Sequence, residues 1–264
     1  EFEKFYPTDV LVTGYDILTH WVTKMVYMGL ECAGDVPFKY TLIHGLVRDE
    51  QGRKMSKSLG NGIDPIKVAN DYGADALRLA LVKDMSLGLD TRMGETKLTT
   101  SKAFINKLWN ASKYVDVKLE GVDVLPIEKC ELSLIDKWIL SSLNNTVKKV
   151  SQNFEKFDLG LALSNAYDFV LNDFCDYYIE FSKQNFFGDE KLKQTTASVL
   201  KYVFNEILKL LHPFIPHVTE FVYQDINNNE ILCTSSYPEY SKKLVFSAEY
   251  ERVLQVIEFV KLVR

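Results

Sequence analysis

A chain of 264 residues with 47% apolar and 25% charged side chains is long enough for two domains and has an ordinary globular composition. Its net charge of −5 and pI near 5.5 exclude a surface that attracts nucleic acid broadly, so any RNA binding must use local basic patches and shape. The lack of a long apolar run, of a basic-then-apolar order in Glu1-Phe2-Glu3-Lys4 and of a Cys-x-x-Cys pair among Cys32, Cys130, Cys175 and Cys233 argues against a membrane span, a signal peptide, a local zinc site and a disulfide framework, and the expectation is a cytoplasmic protein with reduced thiols and no metal site.

Val10 to Thr13 is a short β-branched run between Asp9 and Gly14, the pattern of a buried parallel strand. Apolar residues then recur at Ile17, Trp21, Val22, Met25, Val26 and Met28, which predicts a helix ending at Gly29. A second strand is predicted from Tyr40 to Val47, and a right-handed crossover makes strand, helix and strand one unit of a parallel sheet. Two strands cannot complete a doubly wound sheet. The expected class is therefore α/β, with only the second half of a Rossmann-like fold in this chain.

Lys54-Met55-Ser56-Lys57-Ser58 follows, flanked by Gly52, Gly60 and Gly62. Glycines let backbone N–H groups approach phosphate oxygens, and lysines add mobile charges that follow charge as it develops, so the loop is suited to closing over polyphosphate. The plainer alternative is a solvated basic turn. Asp64-Pro65 starts a helix with a carboxylate at the N-cap and proline at N1; it ends at Gly73, and another runs from Ala74 through Leu77, Leu79, Ala80 and Leu81. Met85 to Gly94 reads as a connector and the domain boundary.

Beyond it the spacing is helical: Thr96 to Val117; Ile135 to Phe154; Leu159 to Phe181; and a stretch carrying Val199, Val203, Ile207 and Leu210. Pro213 and Pro216 break that last helix before a short one, Val218 to Gln224. Asn227 to Asn229 reads as a polar loop, Ile231 to Ser236 as a short extended piece, and Ala248 to Arg264 as an amphipathic helix with no terminal cap, as if more protein followed. The organisation expected is an α/β unit over residues 1–90, an all-α bundle over 91–236, and a linker with the start of a C-terminal helix over 237–264.

KMSKSLGNGIDP (Lys54 to Pro65), with Tyr72 to Leu79 downstream, resembles the second half of the catalytic core of class I aminoacyl-tRNA synthetases. Phe5 to Ile17, Ile43 to Asp49 and Gly60 to Pro65 look like the valyl members of that class rather than the isoleucyl or leucyl ones. Asn106 to Lys113 and Leu211 to Glu220 look like blocks of the family's anticodon-binding helical region. The family's His-Ile-Gly-His-type signature and its editing insertion have no counterpart here. Thr19-His20 departs from the bulky aromatics usual in valyl enzymes at that point.

The resemblance implies a valine–tRNA ligase: activation of valine by ATP with Mg2+ to valyl-adenylate, then transfer to tRNA(Val), in an enzyme expected to be monomeric and without a resident metal. The piece alone is expected to be inactive. By motif match Lys54 and Lys57 are the catalytic residues, neutralising charge on the departing pyrophosphate, and Met55, Ser56 and Ser58 bind nucleotide in the same loop. The family's counterparts of Gly14 and Asp16 contact the adenylate sugar, with Asp16 as the N-cap of the next helix a second reading; those of His44, Gly45 and Leu46 contact adenine. Arg78, Lys102, Asn106, Asn110 and Lys113 are candidate RNA contacts, although Arg78 could instead pair with Asp71 or Asp75. Trp109, His212 and His217 read as structural. An isoleucyl enzyme and a non-catalytic tRNA-binding paralogue are the alternatives.

Overall fold

In the computed structural model, which describes residues 2–263, a helical turn α1 (Phe2–Phe5) precedes β1 (Thr8–Gly14), and β1 pairs in parallel with β2 (Phe38–His44) so that Gly14 lies opposite His44. Both predicted strands are present. Val10 and Val12 are nevertheless exposed, because β1 pairs only with β2 among the described residues and no layer covers that face.

The crossover begins with a 3-10 turn (Tyr15–Ile17) and a π-helical turn (Leu18–Val22) that leaves Thr19 and His20 exposed, and only then becomes α2 (Thr23–Ala33). This helix does not stop at Gly29. It ends at Gly34, which takes the left-handed φ of 73°. Gly29 lies within α2 because a Cβ there would sit 2.5 Å from the Tyr6 hydroxyl and 3.0 Å from the Asp35 carbonyl.

The second strand also ends earlier than predicted. At Gly45 a Cβ would meet the Leu89 carbonyl oxygen at 1.9 Å, so the chain turns there and resumes as β3 (Val47–Arg48). The partner of β3 is β4 (Thr91–Arg92), again parallel, so the stretch from Met85 to Gly94 is more than a connector. It is laced to the strands by Gly88 N–H to the Ile43 carbonyl (3.2 Å) and Met93 N–H to the Arg48 carbonyl (2.9 Å).

The helices follow from capping and periodicity. Asp64 caps α3 (Pro65–Tyr72) by accepting from Ile66 N–H at 2.9 Å, and Gly73 at φ 99° joins it to α4 (Ala74–Val82). Then come α5 (Glu95–Leu119), α6 (Leu134–Glu155) with a Ser133–Asp136 capping box, and α7 (Leu159–Asp168). A π-helical stretch (Phe169–Tyr178) continues α7 into α8 (Ile179–Ser182), and α9 (Glu190–Leu211), α10 (Pro216–Ile226) and α11 (Ser247–Val263) complete the bundle. Trp138, Phe174, Tyr178 and Phe204 fill its core. The piece expected to be extended after Ile231 is instead a 3-10 turn (Leu232–Thr234), because Glu220 accepts the backbone N–H groups of Leu232 and Cys233. Asn227 leaves the polar loop to exchange side-chain amide bonds with Asn205, each 3.0 Å. The expected uncapped end at Arg264 lies outside the described residues.

Two side chains on α4 bind the corner between α9 and α10 to the α/β unit. The buried Asp75 carboxylate accepts from His217 N–H (3.3 Å) and Val218 N–H (2.7 Å), capping α10 from another element. One turn along, the Arg78 guanidinium donates to the carbonyls of Pro213 (3.0 Å) and Phe214 (3.1 Å). Asp75→Ala leaves two N–H groups unpaired at a helix start and is expected to cost about 1–3 kcal/mol; the urea-unfolding midpoint measures it, and an unchanged midpoint would contradict the cap.

Candidate nucleotide-binding site

Parallel pairing brings the carboxyl ends of β1 and β2 to one edge, the side of an open sheet on which ligands bind. The 3-10 turn after Gly14 folds Asp16 back over that edge. An atom at the position of the missing Gly14 Cβ would lie 2.9 Å from Asp16 Oδ1, 3.5 Å from Leu46 Cδ2 and 3.7 Å from His44 Cε1. Gly14, Asp16, His44 and Leu46 therefore lie together at this edge. Asp16 does not cap a helix: its Oδ2 holds Lys54 Nζ at 3.2 Å and ties the lysine loop to the strand edge. His44 Nδ1 lies 2.8 Å from the Gly45 carbonyl, which makes Nδ1 the protonated nitrogen and fixes the ring. At Gly45 the face left bare by the missing side chain is occupied by Leu89 backbone, so the chain bends there without room for a Cβ.

The loop from Lys54 to Ser58 is a folded turn rather than a free tether. Asn61 Oδ1 accepts from Ser56 N–H (2.9 Å), and Asn61 Nδ2 donates to Asp49 Oδ2 (2.9 Å) and to the Lys54 carbonyl (3.3 Å). The hydroxyls of Ser56 and Ser58 lie 3.1 Å apart, and Ser56 Oγ accepts from Leu59 N–H. Lys57 is exposed and makes no ion pair among the described residues. The Met55 side chain packs on the apolar cluster of Val68, Ala80, Met93 and Leu98 and so anchors the loop.

Two carboxylates that sequence reasoning passed over hold this edge together. Asp49, at 7% exposure, accepts from Asn61 Nδ2, from Arg53 N–H (2.7 Å) and from Arg53 Nε (2.7 Å), and these bonds, led by Asn61, bring its pKa down to about 2. Asp90 accepts from Leu46 N–H at 2.7 Å, from the Arg48 guanidinium and from the Tyr15 hydroxyl at 3.3 Å; the Leu46 N–H and then Arg48 hold it below the usual carboxylate range. Asp49 stood inside one of the quoted motif blocks. Asn61, 12 residues on, stood inside another, while Asp90 lies 41 residues beyond Asp49 in the stretch read as a connector, and no local spacing marks the bonds that either carboxylate makes.

The candidate RNA residues fall into two groups. Lys102, Asn106, Asn110 and Lys113 follow one exposed edge of α5, with Lys102 Nζ also donating to the Asp71 carbonyl (2.9 Å) and Lys113 Nζ 5.7 Å from the Trp109 ring centre. Trp109 is half-buried and packs against Phe221 at 5.5 Å. Arg78, also exposed, donates from its guanidinium to the Pro213 and Phe214 carbonyls and, among the described residues, pairs with neither Asp71 nor Asp75.

Two family models match the chain. The family described as "tRNA synthetases class I (I, L, M and V)" matches residues 1–94, and "Anticodon-binding domain of tRNA ligase" matches residues 136–264. The chain belongs to the class I tRNA synthetases. It is 46% identical to the valine–tRNA ligase of Clostridium tetani (strain Massachusetts / E88) over all of its length, and 48% identical to that of Enterococcus faecalis (strain ATCC 700802 / V583) over 90% of it. These alignments cover 30% and 27% of the two relatives, so the chain spans less than a third of their length. The valyl resemblance of the motifs is thereby borne out. The agnB2 LeuRS of Agrobacterium radiobacter K84, solved as a LeuRS-tRNA-LeuAMS ternary complex, superposes on 92% of this class I chain and 30% of its own with a TM-score of 0.75 at 22% identity, which establishes the shared fold.

The depressed pKa of Asp49 has a definite sign. A carboxylate whose folded pKa lies below its unfolded value adds stability that is present above the unfolded value and is lost as pH falls through the folded one. Here the window runs from 3.8 down to about 2. Asp49→Asn is expected to flatten that part of the pH dependence of the urea midpoint and leave its shape above pH ~5 unaltered; identical acid limbs in the two proteins would contradict this.

Proposed function

We propose that this chain supplies the pyrophosphate side of the active site and the tRNA-holding helices of a valine–tRNA ligase acting on ATP with Mg2+, valine and tRNA(Val). The observation that carries the reading is the meeting of Gly14, Asp16, His44 and Leu46 at the carboxyl ends of two parallel strands, with Lys54 drawn to them by Asp16. In the reaction the valine carboxylate attacks the α-phosphorus of ATP, and negative charge grows on the departing pyrophosphate. Gly14 lets the nucleotide approach the backbone, Asp16 Oδ1 can accept from ribose hydroxyls, and His44 and Leu46 border the base.

Lys54 and Lys57 have different starting points. The Lys54–Asp16 pair is largely exposed, with side chains 62% and 33% accessible, and a pair of this kind is worth only about 0–1 kcal/mol. Polyphosphate can therefore draw Lys54 off Asp16 at little cost. Lys57, with no ion pair to break among the described residues, is the cation best able to follow the leaving group.

The edge of α5 bearing Lys102, Asn106, Asn110 and Lys113 is the proposed RNA contact, sufficient for a local patch on a chain whose net charge is negative. Residues 1–90, 91–236 and 237–264 are taken as its three units. Four unpaired cysteines fit a reducing cytoplasm.

The test uses the natural protein containing this chain. Lys57→Ala is expected to slow valine-dependent exchange of pyrophosphate into ATP by about 10²–10³-fold, the loss typical of one electrostatic donor, and to leave tRNA(Val) affinity nearly unchanged. A fall in tRNA affinity with intact exchange would make the loop an RNA contact instead.

A further inference from the structure

We propose that Asn61 and Asp49 are positioning residues for this site, a clasp that closes residues 54–61 into a ring and thereby sets where Lys57 is presented. The inference rests on the adenylation reading above. It goes beyond it by assigning a role to two residues that touch no reacting atom.

The ring is visible in three hydrogen bonds from one side chain. Asn61 accepts from Ser56 N–H, donates to the Lys54 carbonyl and donates to Asp49, so it fastens the loop to itself and to the base of the loop at once. Gly60, at φ 60°, turns the chain back so that Asn61 can reach. Asp49 is a fixed anchor: it follows β3 directly, is nearly buried, and is held by Arg53 N–H and Nε.

The clasp is not part of the core. The apolar cluster beneath the loop is made by Val68, Ala80, Met93 and Leu98, and Asn61 adds no apolar packing to it. Losing Asn61 should therefore free the loop without unfolding the unit. Its cost is expected in the placement of Lys57, where a shift of about 1 Å can slow a reaction by up to ~10²-fold.

Three variants of the natural protein containing this chain test the clasp through valine-dependent pyrophosphate exchange. Asn61→Ala should lower kcat about 10–100-fold with a much smaller change in the KM for ATP and little change in the unfolding midpoint. Asn61→Asp sets two carboxylates within hydrogen-bond distance, which can bond only by sharing a proton, so its rate relative to wild type should recover as pH falls. Asp49→Asn combined with Asn61→Asp restores one amide and one carboxylate in reversed order and should regain at least about tenfold of the loss.

Wild-type rates in Asn61→Ala would overturn the proposal. So would equal losses in all three variants with neither acid recovery nor rescue. If the wild type itself showed no exchange, the adenylation reading would fail, and hydrogen exchange at the Ser56 amide would judge the clasp alone: faster exchange in Asn61→Ala supports it, and an unchanged rate overturns it.

Discussion

The parallel register that sets Gly14 opposite His44 is the constraint on which the candidate site depends. Because both strands run the same way, their carboxyl ends reach one edge together, and everything the site uses is delivered there by the turns that follow. After β1, a 3-10 turn returns Asp16 over Gly14; after β2, the chain bends at Gly45 and descends into β3 and the lysine loop. An antiparallel pairing would have put the Asp16 turn and the lysine loop at opposite ends.

Carboxylates do much of the remaining positioning. Asp49 fixes the base of the loop, Asp90 ties the segment before β4 to Leu46 and Arg48, and Glu50 accepts from Glu95 N–H at 2.8 Å and so caps α5 in place of the bare N-cap Gly94. A Cβ at Gly94 would lie 2.2 Å from that Glu50 carboxylate, so a larger residue there would have to displace the cap. With Asp75 and Arg78 holding the α9–α10 corner, the starts of α5 and α10 are both capped from the α/β unit. The helices that carry the proposed RNA edge and the loop that carries the lysines are thus joined by short polar links. Leu79 of α4, fully buried, belongs to the bundle's core and supplies the apolar side of the same junction.

The cations are held in contrasting ways, and the contrast suits charge-following chemistry. Arg48 is held by Asp90, which Leu46 N–H and Tyr15 also fix, and Arg53 by the buried Asp49, so both serve as framework. Lys54 rests on an exposed carboxylate, and Lys57 on none among the described residues. Framework charges that moved would lose the geometry, while lysines that could not move would bind ground state and transition state alike.

The order of strands and helices, the lysine loop and the Asp64-Pro65 helix start were legible in the amino-acid sequence, because each is written in residues adjacent along the chain: β-branched runs, helical spacing, a cap, a motif. What only the tertiary structure decided were features that depend on a residue's neighbours in space. Gly29 looked like a helix stop, yet it lies inside α2, and at both Gly29 and Gly45 a distant residue, Tyr6 or Leu89, comes too close for a Cβ. The apolar anchoring of Met55, the hold of Arg78 on the helix corner and the bonds by which Asn61 and Asp49 fasten the loop likewise depend on partners that no local pattern names. A one-dimensional pattern records what a segment prefers to form; which backbone, carbonyl or carboxylate stands across from a side chain is set when distant segments pack, and that is where this site's fine geometry was determined.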